Sequence, residues 1–376
     1  MHKVSPKVEE MAQSVRQGEV SASKEICVPR PPVGGQAVVE GVMMRAPSAT
    51  AVAVRKPDGS LIVRTRHAHR IADRWPILAK PGLRGIAVLI ETMADGMSAL
   101  NFSATQALPE DEKKKDKTDA TTKSENGKTA IIVTMIFAMA FGFALFAVLP
   151  HFLTWSIGWL TGSSDLLGGQ AVLFHLIDGV IKTLIFLGYV YAMSLMKDMR
   201  RVFEYHGAEH QAVHTFERGL SMETANLASF PTAHPRCGTA FMVTVIVVGI
   251  LIFAGVFPLL PALSDNVALN QTLYVLIKLP LILPIAALSY EVIRMAGKRS
   301  DSLFGHLVSA PGVFFQRITT KRPDASQQEV AIVSLEAAMW PERMGVSKEH
   351  PETISVFPDF AAFVATQSPA SQETGA

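Results

Sequence analysis

Cysteine is nearly absent: the 376 residues hold two, Cys27 and Cys237. Both fall on the side of the membrane read below as reducing, so a disulfide framework is not expected and Cys237 stays available as a thiol or thiolate. Charge is also scarce, at 18% of residues against 49% hydrophobic, and the net charge of +2 is too small to argue for nucleic acid as a partner. The first thirty residues lack the apolar stretch of a secretory signal, so the first membrane helix is expected to direct insertion. No internal repeat, Walker loop or dinucleotide fingerprint occurs, which removes the sequence signatures of nucleotide binding.

What is present is apolar sequence in long runs. Thr129–Ser164 contains no Asp, Glu, Lys or Arg, and a bilayer core needs only about 20 such residues. Spans are expected near Thr129–Pro150, Gly169–Met196, Thr239–Leu260 and Leu269–Ile293. The second carries Asp178 and Lys182 at helical spacing, with His175 on the same face. The fourth holds Lys278, Pro280 and Pro284, tolerable where neighbouring helices satisfy the freed carbonyls. Basic residues alternate with this pattern: Lys113, Lys114, Lys115, Lys117, Lys123 and Lys128 precede the first span, and Lys197, Arg200, Arg201, Arg218 and Arg236 lie between the second and third. Arg294, Lys298 and Arg299 follow the fourth, whereas His151–Gln170 and Pro261–Asn270 have no Lys or Arg. Since Lys and Arg favour the cytoplasmic side, both termini and the central loop are expected there, in a multi-pass protein of the inner membrane.

Outside the spans the expected organisation is a disordered N-terminus over 1–32, a cytoplasmic unit over 33–107, a charged linker over 108–128, a four-helix membrane region over 129–293 with a His-rich loop over 197–238, a cytoplasmic segment with a helix over 294–343, and a flexible tail over 344–376. The cytoplasmic unit opens with β-prone runs, QAVVEGVMM, TAVAVRK and SLIVRTR, the last two separated by the turn signal Pro57-Asp58-Gly59. This predicts a small β-meander too small to stand alone. A helix follows near Pro81–Ala107, with Ile86, Leu89, Ile90, Met93, Met97 and Leu100 on one stripe, suited to the membrane surface or to packing on a sheet. PGVFFQRITTKRPD reads as loop and turn, before a helix at EVAIVSLEAAMW. The fold class is thus an α-helical polytopic membrane protein of about four transmembrane helices with a small cytoplasmic β-meander and amphipathic helix.

The chemistry-bearing stretch is EYHGAEHQAVHTFE, Glu204–Glu217. His206-Gly207-Ala208-Glu209-His210 fits the H-x-x-E-H spacing of inverted zincins, where histidines one turn apart bind zinc and the glutamate between them is general base. The spacing lets both imidazoles converge on one ion while the carboxylate stays close enough to activate bound water. His234 and Cys237, in HPRCGT, offer nitrogen and sulfur in the same loop. One plausible set is His206, His210, His234 and Cys237 around a divalent metal ion such as zinc, with Glu209 as base. The competing reading has these histidines capping helices at the headgroup level or bonding Glu204 and Glu217, with Cys237 as a small buried residue. Glu40 either pairs with Arg45 or completes a metal site; Glu291 reads most simply as a local partner of Arg294; Asp178 with Lys182 reads as an internal pair or a transport pathway.

In order around four apolar segments, GGQAVVEGVMMR, LRGIAVLIETMADGMSALNFSA, VFEYHGAEH, HPRCGTAF, LSYEVIR and QRITTKRPDASQQEVAI resemble the YqhQ family of bacterial membrane proteins, over about residues 33–340. That family is commonly described as predicted metal-dependent enzymes of unknown function. The resemblance implies architecture more than chemistry. Gln36, Glu40, Arg45, Arg84, Glu91, Tyr205, His206, Glu209, His210, His234, Arg236, Cys237 and Glu291 sit inside the shared motifs, whereas His214 lies outside the strongest one.

These readings converge on a metal-dependent membrane enzyme, hydrolytic or transferase-like in type, with its site at the cytoplasmic face. Glu209 moves protons, Arg45 or Arg84 orients an anionic substrate, and Glu40, Glu91 and Glu291 are further candidates. Its partners are the lipid bilayer, an unidentified substrate and, in an oligomer, further copies of itself. Two rivals stand beside it: an ion-handling or transport protein using His175, Asp178, Lys182 and Lys278, and a scaffold recruiting cytoplasmic partners without metal.

Overall fold

The computed structural model describes residues 30–108, 124–299, 302–345 and 351–367, with side chains from Val133 onward in the first long helix. The expected disordered N-terminus up to residue 29, most of the charged linker and the end of the tail lie outside the described residues.

The β-prone runs form strands β1 (Gly34–Val38), β2 (Gly41–Arg45), β3 (Ala49–Arg55) and β4 (Leu61–His67). QAVVEGVMM, read as one run, is two strands, because the chain reverses at Val39-Glu40: Val38 pairs with Gly41, and Glu40 takes a left-handed φ of 52°. The four strands pair antiparallel in chain order. A fifth, β5 (Thr353–Phe357), joins β4 in register from Leu61↔Phe357 to Thr65↔Thr353. It comes from the tail expected to be flexible: the free edge of β4 supplies the backbone partners that the short segment lacks on its own.

Helix α1 (Arg84–Ala107) follows the sheet. Helix α2 (Ser124–Phe143) runs through a π-helical turn, Ala144–Val148, into α3 (Leu149–Thr161). The first apolar helix therefore passes Pro150, where a span was expected to end; the wide turn ahead of it absorbs the carbonyl that proline leaves unpaired. Next come α4 (Val172–Ser194), α5 (Lys197–Arg218), α6 (Gly238–Val256) and α7 (Val267–Lys298). Four stretches are long and apolar enough to cross a membrane: Val133–Thr161, Val172–Ser194, Gly238–Leu259 and Val267–Lys298. Their outward faces carry Phe137, Met139, Leu184, Leu251 and Leu283.

Helix α8 (Leu303–Thr319) replaces the first half of the expected loop PGVFFQRITTKRPD. Pro311 opens that stretch, yet Ser302 caps the helix through the Gly305 N–H, and its inner face packs Gly312 against Ala240 and Phe315 against Phe186. Tertiary packing here overrides a local breaker. Helices α9 (Ala325–Arg343) and α10 (Phe360–Gln367) complete the chain.

The sheet is covered on both sides, which explains its nearly continuous apolar runs. One face, with Val42, Met44, Ala51, Ala53, Leu61 and Val63, packs on α5 and α9 through Tyr205, Ala208, Ala212, Val330 and Leu335. The other, with Val38, Met43, Val52, Val54 and Ile62, meets Ala99, Leu100 and Phe102 of α1. Helix α1 turns its small residues inward, with Gly85, Ala87, Gly96 and Ala99 buried, and leaves Ile90, Met93 and Met97 exposed. Of its stripe of large apolar residues, Leu100 packs on the sheet while Ile90, Met93 and Met97 do not.

Candidate metal centre

Helical periodicity aligns His206, His210 and His214 along one side of α5. Close approach then brings other elements to them. A Cβ on Gly207 would meet the Lys321 carbonyl, so the chain leaving α8 lies directly against α5, fixed by a Lys321 N–H to Phe203 O bond of 2.9 Å. A Cβ on Gly35 would sit 2.6 Å from Glu209 Cγ, so only glycine lets β1 come this near.

Backbone carbonyls set the imidazole tautomers. His206 Nδ1 faces Thr319 O at 2.8 Å and His210 Nδ1 faces Thr232 O at 2.5 Å. A nitrogen facing a carbonyl carries the proton, so Nε2 of each ring keeps its lone pair. His206 Nε2 lies 3.2 Å from Cys237 Sγ. His210 Nε2 is buried and has no hydrogen-bond partner; Glu209 Oε2 is 3.4 Å away without hydrogen-bond geometry. One ligand atom from each of His206, His210 and Cys237 falls within 4.8 Å of the others. In a tetrahedral zinc site with bonds of about 2.0–2.3 Å, neighbouring ligand atoms sit roughly 3.3–3.7 Å apart, so the three need only small adjustments to share an ion.

Electrostatics around them is that of a water-poor pocket. Burial raises the Glu209 carboxyl to about 8, partly opposed by His206 and by the Gly35 N–H. Burial and the His206 ring push His210 well below its ordinary value, which keeps it neutral and able to bind a cation. Cys237 caps the start of α6, accepting from Thr239 N at 3.4 Å and Thr239 Oγ1 at 3.3 Å. Burial raises this thiol while the Thr239 donors oppose the rise. A cation at this position would favour the thiolate outright.

His234 does not join that set. Its ring centroid is 5.8 Å from that of His210, and its ligand atom groups instead with those of His214 and Glu217, again within 4.8 Å. His214, set aside on the sequence, therefore belongs to a second, adjoining cluster. His214 Nε2 donates to Ala233 O at 2.9 Å, and burial lowers its affinity for a second proton. Against the opposing effect of burial, His234 and Arg236 hold the Glu217 carboxyl below its usual range.

The remaining candidates are engaged elsewhere. Arg45 pairs with Glu91 at 2.8 Å and Asp95 at 3.4 Å; Arg84 pairs with Glu291. Glu40 pairs with Arg201 and accepts from Tyr205 Oη at 3.2 Å, in place of the Arg45 pairing. Glu291 takes Arg84 and the Gly82 N–H, in place of Arg294, because α1 crosses α7 at that point. Neither Arg45 nor Arg84 is placed beside the histidines by these contacts.

Several contributors were missed on the sequence. Gln316 clamps the His234 backbone, accepting from its N–H at 2.7 Å and donating to its carbonyl at 2.9 Å. Thr232 and Thr319 act only through their carbonyls, which no side-chain pattern reveals. Gln316 and Thr319 sit in the quoted motif QRITTKRPD, the one signal that existed for them.

Fold and site together define a helical protein with four segments apolar enough to cross a membrane, a small antiparallel sheet, and His/Cys/Glu groups that could hold a metal. The chain belongs to the YqhQ family, matching the family described as "Protein of unknown function (DUF1385)" over residues 80–340. It is 31% identical over 327 residues to the "Uncharacterized protein YqhQ" of Bacillus subtilis (strain 168), covering 85% of this chain and 96% of that protein. No solved structure matches it.

Proposed function

We propose that the chain is an integral protein of the inner membrane, with both termini cytoplasmic, carrying a metal-dependent hydrolytic site at the cytoplasmic face. His206, His210 and Cys237 hold one divalent ion, zinc by donor type, since imidazole nitrogen with thiolate sulfur suits that metal. Three protein ligands leave the fourth position to water, and a bound cation lowers the pKa of that water. Glu209, three residues from one ligand and adjacent to the other, accepts and returns the proton. His214, Glu217 and His234 border the same site.

The observation that carries this reading is the orphaned Nε2 of His210, buried and with its tautomer fixed by Thr232 O, on a ring that has a ligand atom within 4.8 Å of those of His206 and Cys237. An apolar core histidine normally satisfies both nitrogens. Carbonyl bonds to Nδ1 are the outer contacts that orient metal-binding imidazoles. The membrane placement is supported by the four apolar helices and by the alternation of Lys and Arg between their ends.

The test is metal analysis of protein purified in detergent without added chelator. About one tightly held ion per chain is expected, lost in the double variant His206→Ala, His210→Ala while membrane insertion and elution volume are kept. Unchanged metal content in that variant, or no ion in the parent protein, overturns the reading.

A further inference from the structure

A second polar cluster lies outside the histidine loop, among the apolar helices. Asp178 Oδ2 in α4 accepts from Lys182 at 3.3 Å and from Lys278 of α7 at 3.1 Å. Lys278 also donates to His151 Nδ1 at 3.1 Å, and His151 Nε2 donates in turn to Gln271 Oε1 at 2.8 Å. This ring is therefore neutral, held in one tautomer. His175 is 1% exposed, lies among Phe174, Phe253 and Phe257, and has no partner at either nitrogen. Asp178 Oδ1 is likewise buried without a partner.

The charges do not balance. Two ammonium groups share one carboxylate oxygen, and among the described residues no second acid pairs with either lysine. A net positive charge in an apolar interior is strongly unfavourable, and an anion placed against both lysines relieves it without either giving up its proton. Both ammoniums lie near the ring of Phe253, at 5.5 and 5.4 Å from its centroid, which offsets only part of the imbalance. The same two lysines line a cavity of about 440 Å³ whose other walls are apolar, among them Phe143, Phe146, Phe253 and Ile282. One wall of this cavity is the π-helical turn Ala144–Val148, where the backbone widens beside it.

We infer that this cavity binds an anionic amphiphile, its negative head against Lys182 and Lys278 and its hydrocarbon along the phenylalanine and isoleucine walls. A small hydrated anion would neutralise the charge but leave the apolar walls wet. A neutral lipid chain would fill the walls but leave the charge. Only a molecule with both parts satisfies the site. Asp178 holds the two ammoniums together, and its shared oxygen keeps them close enough to act on one head group. The site is independent of the metal reading, since no residue is common to both.

The experiment uses the full chain in a neutral maltoside detergent and three probes of equal chain length: palmitate, hexadecanol and hexadecylamine. Palmitate is expected to bind at least about tenfold more tightly than either of the others, a difference of about 1.4 kcal/mol. Lys182→Gln should remove that preference, and Lys182→Arg should restore it. Equal binding of the three probes by the parent protein overturns the inference, as does a palmitate preference that survives Lys182→Gln in a variant that remains folded. Should Lys182→Gln fail to fold, the parent protein's choice between acid, alcohol and amine still decides the matter. Loss of metal in the His206→Ala, His210→Ala variant should leave palmitate binding unchanged, which separates this site from the other.

Discussion

Single atoms decide the chemistry of the histidine loop. Whether His210 is a core residue or a ligand turns on one nitrogen, and Thr232 O fixes which nitrogen is free. Glu209 gives a consequence that can be measured. In the metal-free protein its folded-state value of about 8 stands above the ordinary 4.5. The folded chain then keeps a proton that the unfolded chain has released, so this stabilisation is complete below about pH 4.5 and disappears as pH rises through 8. Thermal unfolding of chelator-treated protein should accordingly show the melting temperature falling across that window. Glu209→Gln should flatten the slope, and so should added zinc. Gly35 allows a second measurement: Gly35→Ala places a methyl 2.6 Å from Glu209 Cγ and is expected to cost about 1–3 kcal/mol of stability, read as a lower melting temperature.

Among the elements, capping and edge pairing make the sheet and its helices definite. Asp324 starts α9 with a full capping box, accepting from Gln327 N at 2.9 Å while Gln327 Oε1 accepts from Asp324 N at 2.9 Å. Asp324→Ala should lower stability by roughly 1 kcal/mol, read as a small drop in melting temperature without loss of metal. The β5 strand tests the sheet edge. Ending the chain after Gly345 removes β5 and α10 together with the Phe357–Phe363 contact, and exposes the β4 edge. Increased aggregation in size-exclusion chromatography is the expected outcome; an unchanged monodisperse peak would show the edge to be protected otherwise. Exposed apolar residues on α1 (Ile90, Met93, Met97) and on α8 (Leu303, Leu307, Phe314) belong to this scale too. Met93 is 66% and Leu307 71% exposed, faces suited to lying against a bilayer surface beside the apolar helices.

Taken whole, the molecule holds a buried histidine site on α5 and a separate charge cluster enclosed by its apolar helices. The proposed orientation has a direct check. A cysteine replacing Ala262 should react with an impermeant thiol reagent applied to intact cells, and one replacing Ser221 should react only after lysis. Both positions are exposed in the folded chain. The opposite pattern would put the histidine loop outside and remove the cytoplasmic reading of the site.

How much of this was legible follows from the range of the forces involved. Apolar runs and the alternation of Lys and Arg are properties of contiguous sequence, because a helix long and apolar enough to cross a bilayer is written in one uninterrupted stretch of residues. They determined the four apolar helices, and helical periodicity alone placed His206, Glu209 and His210 one turn apart. The H-x-x-E-H spacing and the HPRCGT motif were likewise visible, including the nearness of Cys237 to the histidines in the chain. Tertiary structure alone decided the grouping. It moved His234 to His214 and Glu217, tied Arg45 and Arg84 to carboxylates, gave Glu40 to Arg201, and turned a proline-containing loop into α8 and a tail into β5. Each of these depends on which backbone approaches which, through glycine contacts and carbonyl bonds between residues far apart in the chain, and no local pattern encodes that distance.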